Sequence, residues 1–201
     1  MDRLVNQIEV FANLHKSVED VWLDKLKKDN TVTFNFNRIK VHDIDLDIYN
    51  YIFEYRNFLS LRSPYINDVL GKNLVGRTRV KETLSIKQKI KKYKANKLNG
   101  SVIVHKCLND IFGARILVDN DFKFSTISDS LYKHRFEGLR VHDSSNKEGY
   151  KGLHVYVGAA CGHFRWELQI WHECDYNKNI ELHEQYKRGY ILDLKNWEEL
   201  K

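Results

Sequence analysis

Three short segments in the second half of the chain, LRVHDS (139–144), LHVYVGA (153–159) and FRWELQIW (164–171), alternate apolar and polar residues. A period of two marks a strand with one face buried. Three such strands in succession demand a sheet, and its apolar face demands a covering layer. Upstream, IFGARILV (111–118) is an apolar run of strand length and RTRVK (77–81) a shorter β-like piece. TLSIKQKIKKYK (83–94) and DFKFSTISDSLYKHR (121–135) have helical spacing, the second behind an acidic start. The first seventy residues also read as helix: Leu4, Ile8, Phe11, Ala12, Leu14, Val18, Val21 and Trp22 recur near the helical period. After a polar break, KKDNTVTFNFNR (27–38), the aromatics of IDLDIYNYIFEYRNFLSLRS (44–63) form a second stripe. Pro64 is expected to mark a boundary, and a last helix is expected from Tyr176 to Tyr190. The expectation is an α/β fold: a mixed, mostly antiparallel central sheet flanked by helices. It divides into an N-terminal helical region (1–70) and a single compact core (71–201).

Charge narrows the partners. The 201 residues carry a net charge of +6, and a basic surface suits a polyanion such as nucleic acid or nucleotide phosphates. Three widely spaced cysteines fit a reducing compartment, so a cytoplasmic location is expected. The start, MDRLVNQIEV, lacks the apolar core of a signal peptide, and no apolar run approaches membrane-spanning length.

Chemistry concentrates in four places. In RTRVKETLSIKQKIKKYKANK (77–97), Arg77, Arg79, Lys81, Lys87, Lys89, Lys91, Lys92, Lys94 and Lys97 face one acid, Glu82. This is either a solvated helix face or a polyphosphate cradle. Arg79 and Lys81 share strand parity, and Ser85 falls near a helix start, where a phosphate is welcome. In NDIFGARILV, Asp110 is either a cap or a site carboxylate, and Arg115 is a cation inside an apolar run, which needs a partner or a ligand. In FRWELQIW, Glu167 and Gln169 share one strand face opposite Trp166, Leu168 and Ile170, so they meet solvent or a cleft. An edge strand with a polar outer face explains this equally well; paired with Asp110, Glu167 would complete a two-carboxylate Mg²⁺ site. In KEGYKGLH (147–154), Tyr150 stands among Lys147, Lys151 and His154, either as core or as a platform for a planar anion. Cys161, His163, His172 and Cys174 have one-residue spacings unlike those of zinc ribbons, and HEQYK lacks the second histidine of a zinc protease.

Together these segments resemble the synthetase domain of the RelA/SpoT homologues. RVKETLSIKQKI, DIFGARILV, KEGYKGLH, WELQI and HEQYK occur in the family's order over residues 75–190. The resemblance implies a pyrophosphokinase that moves the β,γ-diphosphate of ATP to a ribose 3′-hydroxyl. It implies that Arg79 and Arg115 stack on adenine, that Lys81, Ser85 and Lys89 contact phosphates, and that Asp110 and Glu167 hold Mg²⁺. Glu167 would also take the hydroxyl proton. Tyr150 would stack on the acceptor base, with Lys147, Lys151 and His154 on phosphates and Gln169, His183 and Lys187 shaping the acceptor side. The loop is one residue shorter than the family pattern, with Glu148 in place of asparagine, and no hydrolase domain fits the chain. Those departures resemble the toxic small alarmone synthetases. That likeness implies the 3′-terminal CCA adenosine of tRNA as acceptor, inhibition of translation, and an antitoxin partner. GDP or GTP as acceptor is the alternative; a non-catalytic RNA-binding module is the second.

Overall fold

The computed structural model describes residues 1–73, 76–96, 98–134, 138–145, 149–158 and 163–185. The helices are α1 (Asp2–Lys28), α2 (Leu46–Asn73), α3 (Thr83–Asn96), α4 (Val104–Cys107), α5 (Phe124–Lys133) and α6 (residues 176–185). The strands are β1 (Gly76–Val80), β2 (Phe112–Val118), β3 (Arg140–Asp143), β4 (Leu153–Val157) and β5 (Trp166–His172). They form one sheet in the order β1-β2-β5-β4-β3. Among the described strands only the β2/β5 pair is parallel, and β3, β4 and β5 make the expected meander. The fold is therefore mixed α/β around a mostly antiparallel sheet. Among the described residues, no helix is long and apolar enough to cross a membrane.

Register separates the two faces of the sheet. Phe112, Ala114 and Ile116 lie opposite Trp166, Leu168 and Ile170, which in turn lie opposite Val157, Val155 and Leu153. All nine are buried, and they share one apolar cluster with α1 and α2. On α1 the covering stripe is Leu4, Ile8, Phe11, Val18, Trp22 and Leu26, a run of three- and four-residue steps. His15 occupies the step between Phe11 and Val18 and donates from Nε2 to the Phe164 carbonyl at 2.8 Å. Val21, expected in the stripe, is 39% exposed, because it follows Val18 by three residues but falls beside Trp22 at the edge of the contact.

Pro64 lies inside α2 and ends nothing. An interior proline costs a helix about 3 kcal/mol. Phe58 and Leu59 before it and Ile66 and Leu70 after it are all buried, so packing on both sides outweighs that cost. The helix at 121–135 begins at Phe124 behind Lys123 and has no acid in its first turn, so the acidic start expected there is not its cap.

The connection between α1 and α2 is pinned by α4. Val41, Val104 and His105 donate backbone N–H bonds to Val102, Ile39 and Phe36. His105, 1% exposed, bonds Asn37 Oδ1 through Nδ1, while its Nε2 has no partner among the described residues. Burial, then the charges of Arg165 and Arg140 and the rings of His15 and His163, lower its pKa to about 3. A charged His105 would add an N–H with no acceptor beside a guanidinium. Its folded pKa lies below the unfolded value, so its neutral state supports the fold fully above pH ~6.5. That support is lost as pH falls toward the folded value, by at most about 1.4 kcal/mol per pH unit. In urea unfolding at pH 7.5 and 5.0, His105→Gln should shrink the difference seen in the parent protein. An unchanged difference would remove His105 from the account.

Candidate active site

The second face of the sheet carries two polar rows. Arg79, Gly113, Glu167, Tyr156 and Arg140 lie side by side across β1, β2, β5, β4 and β3. Arg77, Arg115, Gln169, His154 and His142 form the adjacent row. Parity within each strand sends these side chains away from α1, and register brings residues distant in sequence together. Gly113 leaves an opening between Arg79 and Glu167: a Cβ there would meet Arg79 Nε at an ordinary 3.5 Å, so space and not strain is what the glycine provides.

At the β1 side, Asp110 is the counter-ion of a cation cluster. Its Oδ2 takes Lys81 Nζ at 2.5 Å, its Oδ1 takes Lys89 Nζ at 3.0 Å, and Arg79 lies 3.9 Å away. Burial opposes the Asp110 charge, but Lys89, Lys81 and Arg79 hold its pKa well below the carboxylate range. One carboxylate cannot compensate both ammonium groups equally. Burial lowers the Lys81 pKa despite Asp110, whereas at Lys89 Asp110, with help from Cys107 and Tyr93, outweighs burial and raises it. Three cations against one anion leave surplus positive charge in the cleft. Ser85 stands in the first turn of α3, four residues before Lys89 on the same helix. Arg56 of α2 steadies the turn, donating from Nε to the Lys81 carbonyl at 3.2 Å.

Not all of the basic run serves this cleft. Lys94 donates to the Ile44 carbonyl at 3.1 Å, and Lys87 lies 5.7 Å from the Phe53 ring centroid. Part of it thus packs α3 onto its neighbours.

Arg115 lies flat on Trp171, its Cζ 3.4 Å from the ring centroid, and donates from Nη2 to Gln169 Oε1 at 3.0 Å. Burial lowers its pKa to about 10, which leaves it charged at neutral pH. Gln169 passes the link on, donating from Nε2 to Glu167 Oε2 at 2.9 Å. Tyr156 donates to Glu167 Oε1 at 3.1 Å, and His154 Nδ1 lies 3.3 Å from the same oxygen. Burial pushes the Glu167 pKa up, but the bond and charge of His154 outweigh burial and lower it. Both carboxylates are thus held ionised by their surroundings.

Tyr150 is half-buried. Its hydroxyl accepts from Trp171 Nε1 at 2.7 Å and bonds His154 Nε2 at 2.7 Å. Rings of His154, Trp171 and His183 stand edge-on to it, 5.5–5.9 Å between centroids. Burial and the charges of Arg115 and Arg79 lower the His183 pKa to about 4, so the ring is neutral. The Lys151 ammonium turns to Asp175 at 3.4 Å and does not join this cluster. Lys147 and Lys187 lie outside the described residues, as does Cys161 of the zinc alternative. His172 of that alternative is spent on the Phe122 carbonyl and Asp175. Sequence reasoning missed Tyr156 and Trp171. Each follows a chosen residue, His154 or Gln169, by two positions, and that shared parity was the available signal.

Two ionised carboxylates, surplus cations and an aromatic wall on one face of the sheet are a chemistry suited to nucleotide phosphates. The comparisons carry this further. The model of a region found in RelA/SpoT proteins matches residues 78–190, more than half of the chain. The chain belongs to the RelA/SpoT family; it is a pyrophosphokinase, and ATP is the donor in that family. Among solved structures, it is similar to a GTP pyrophosphokinase family protein from Streptococcus pneumoniae: 21% identity, 72% of this chain and 79% of that one, TM-score 0.42. It is also similar to small alarmone synthetase 1 from Bacillus subtilis: 20% identity, 71% and 77% coverage, TM-score 0.37. The AMPCPP-bound form of that synthetase gives 21% identity, 71% and 76% coverage, and a TM-score of 0.36. A comparison with curated proteins finds no match.

Proposed function

We propose that the chain transfers the β,γ-diphosphate of ATP to the 3′-hydroxyl of the terminal adenosine of tRNA, and so acts as a translation-inhibiting toxin restrained by an antitoxin. The observation that carries the choice of acceptor is the aromatic border of Tyr150. Trp171, His154 and the neutral His183 surround it, and the Lys151 ammonium is engaged by Asp175. GDP or GTP brings its own 5′-phosphates and asks for a compact set of cations just beyond the base. A tRNA end spreads its charge along a backbone and asks for cations outside the pocket. The guanosine alternative has one feature in its favour: Lys178 Nζ stands close over Gly149 of the acceptor loop.

Arg115, backed by Trp171, offers its other face to adenine opposite Arg79, since a planar guanidinium stacks better than an ammonium. Lys81, Lys89 and Ser85 receive the phosphates at the start of α3. Tyr150 carries the acceptor base and His154 lies between that base and Glu167. Glu167, ionised, accepts the proton of the attacking 3′-hydroxyl as its oxygen bonds the β-phosphorus and AMP departs. The donor set fits Mg²⁺, which is satisfied by one or two carboxylate oxygens together with substrate phosphates. Asp110 and Glu167 would hold it, Asp110 by exchanging a lysine contact. When bound, it would neutralise charge on the phosphate oxygens.

The test is transfer of label from γ-labelled ATP with Mg²⁺ to deacylated tRNA or to GDP and GTP. Label in tRNA that is removed with the CCA end is the expected result. Labelled guanosine nucleotide alone would replace the acceptor, and no transfer to any of them would favour an RNA-binding module.

A further inference from the structure

We propose that Asp175, in the turn entering α6, together with Asn179 and His183 of α6, is a clamp that positions Tyr150 and so sets how tightly the acceptor binds. The proposal rests on the reading of Tyr150 as the acceptor platform. Asp175 ends the turn Glu173–Asp175 that leads into α6, and steps of four residues place the three side chains on one helix face. All three meet the dipeptide Tyr150–Lys151. Asp175 Oδ1 lies 3.4 Å from Lys151 Nζ. Asn179 Oδ1 accepts the Lys151 backbone N–H at 3.1 Å, and its Nδ2 donates to the Lys151 carbonyl at 2.7 Å. The His183 ring stands edge-on to Tyr150, 5.5 Å between centroids.

Asn179 is the centre of this arrangement. It has no exposed surface, and both ends of its amide are spent on one residue's backbone. A side-chain amide used in this way stands in for a neighbouring strand, pairing a donor and an acceptor at once. Lys151 lies two residues before the first residue of β4, Leu153, and the next residue, Gly152, accepts the Ser144 N–H at 3.0 Å. The Tyr150 hydroxyl is held from below by Trp171 and His154; the backbone that carries the ring is held from the side by α6. Gly149, at a φ of +90°, lets the chain pass under Lys178, where a Cβ would come within 2.9 Å of Nζ. The loop's position is therefore fixed by contacts from α6, and Asn179 is a positioning residue for the acceptor.

Two variants test this in the full chain, with deacylated tRNA and GDP supplied separately. Asn179→Ala removes both backbone bonds. Asn179→Asp keeps the volume and the acceptor but sets a carboxylate oxygen against the Lys151 carbonyl, so it separates hydrogen bonding from packing. Both are expected to raise the acceptor KM about tenfold while ATP KM and kcat at saturating acceptor change little. Asn179→Ala should also speed hydrogen exchange at the Lys151 amide, a readout that needs no activity, whereas Asn179→Asp keeps the acceptor of that N–H. Retained protection at that amide in Asn179→Ala overturns the clamp. Lost protection with an unchanged acceptor KM, an equal rise in ATP KM, or full rescue by Asn179→Asp overturns the positioning role. Transfer to neither acceptor by the parent protein overturns the functional reading and the acceptor role with it, while exchange still decides whether the clamp exists.

Discussion

Glu167→Gln is expected to lower diphosphate transfer by about 10²–10⁴-fold, the range for loss of a general base, with little change in stability. The first half follows from charge: an amide cannot take the proton of the attacking hydroxyl, nor can it serve Mg²⁺ as an anion. The second half follows from the bonds around the carboxylate. Gln169 Nε2 approaches one oxygen, and Tyr156 and His154 approach the other. Gln169 cannot turn over, because its own oxygen is held by Arg115. The new amide must therefore keep its oxygen toward Gln169 and point its NH₂ at Tyr156. A phenol hydroxyl can rotate to accept that bond, so the site keeps its shape. Single-turnover transfer measured beside urea unfolding checks both halves. Full transfer in the variant would remove Glu167 from catalysis, and loss of the fold would make it a structural carboxylate.

Asp110→Ala should be costly in a different way. Lys81 and Lys89, whose side chains are 13% and 15% exposed, would stand beside Arg79 with no counter-ion, and each would carry an uncompensated charge or give up its proton. Removing one partner of a buried pair costs about 3–5 kcal/mol, a fall in Tm on the order of 10 °C for a chain of this size. Because the Asp110 pKa is depressed in the fold, its contribution is present above the ordinary carboxylate range and is lost only as pH falls through the folded value. The parent should thus hold its advantage over the variant down to mildly acid pH. Pyrophosphate should raise the variant's Tm by more than the parent's, since an added anion replaces the missing one. Equal Tm values, or equal responses to pyrophosphate, would show that the cations are solvated and need no counter-ion.

How much of this was visible in the chain depends on whether local or cross-strand geometry decides it. Glu167 and Gln169 were legible because parity along β5 sets them opposite Trp166, and the apolar cluster confirms which face is inside. Asp110 stood out as a charge before an apolar run and Arg115 as a cation inside it. Tyr156 and Trp171 did not, since in sequence each reads as one more apolar residue of a strand. Only the pairings Tyr156 with Glu167 and Leu117 with Trp171 place them in the cleft. The basic run was legible as charge but not as contact: Lys81 and Lys89 serve Asp110 while Lys94 and Lys87 serve packing. Periodicity found α1, yet it could not show that His15 takes a stripe position, because a histidine scores as polar until its N–H has found a carbonyl. Asn179 carried no local signal; its role depends on where a loop 28 residues earlier passes.

The two rows of the polar face run through all five strands, and alternation makes the two sides of the sheet inseparable. Sliding β5 by one residue against β4 would turn Glu167 toward α1 and expel Trp166 into the cleft. A misaligned chain would lose its core and its chemistry in the same step. For this protein, diphosphate transfer is also an assay of strand register: a preparation with full specific activity holds no population folded one residue out of place.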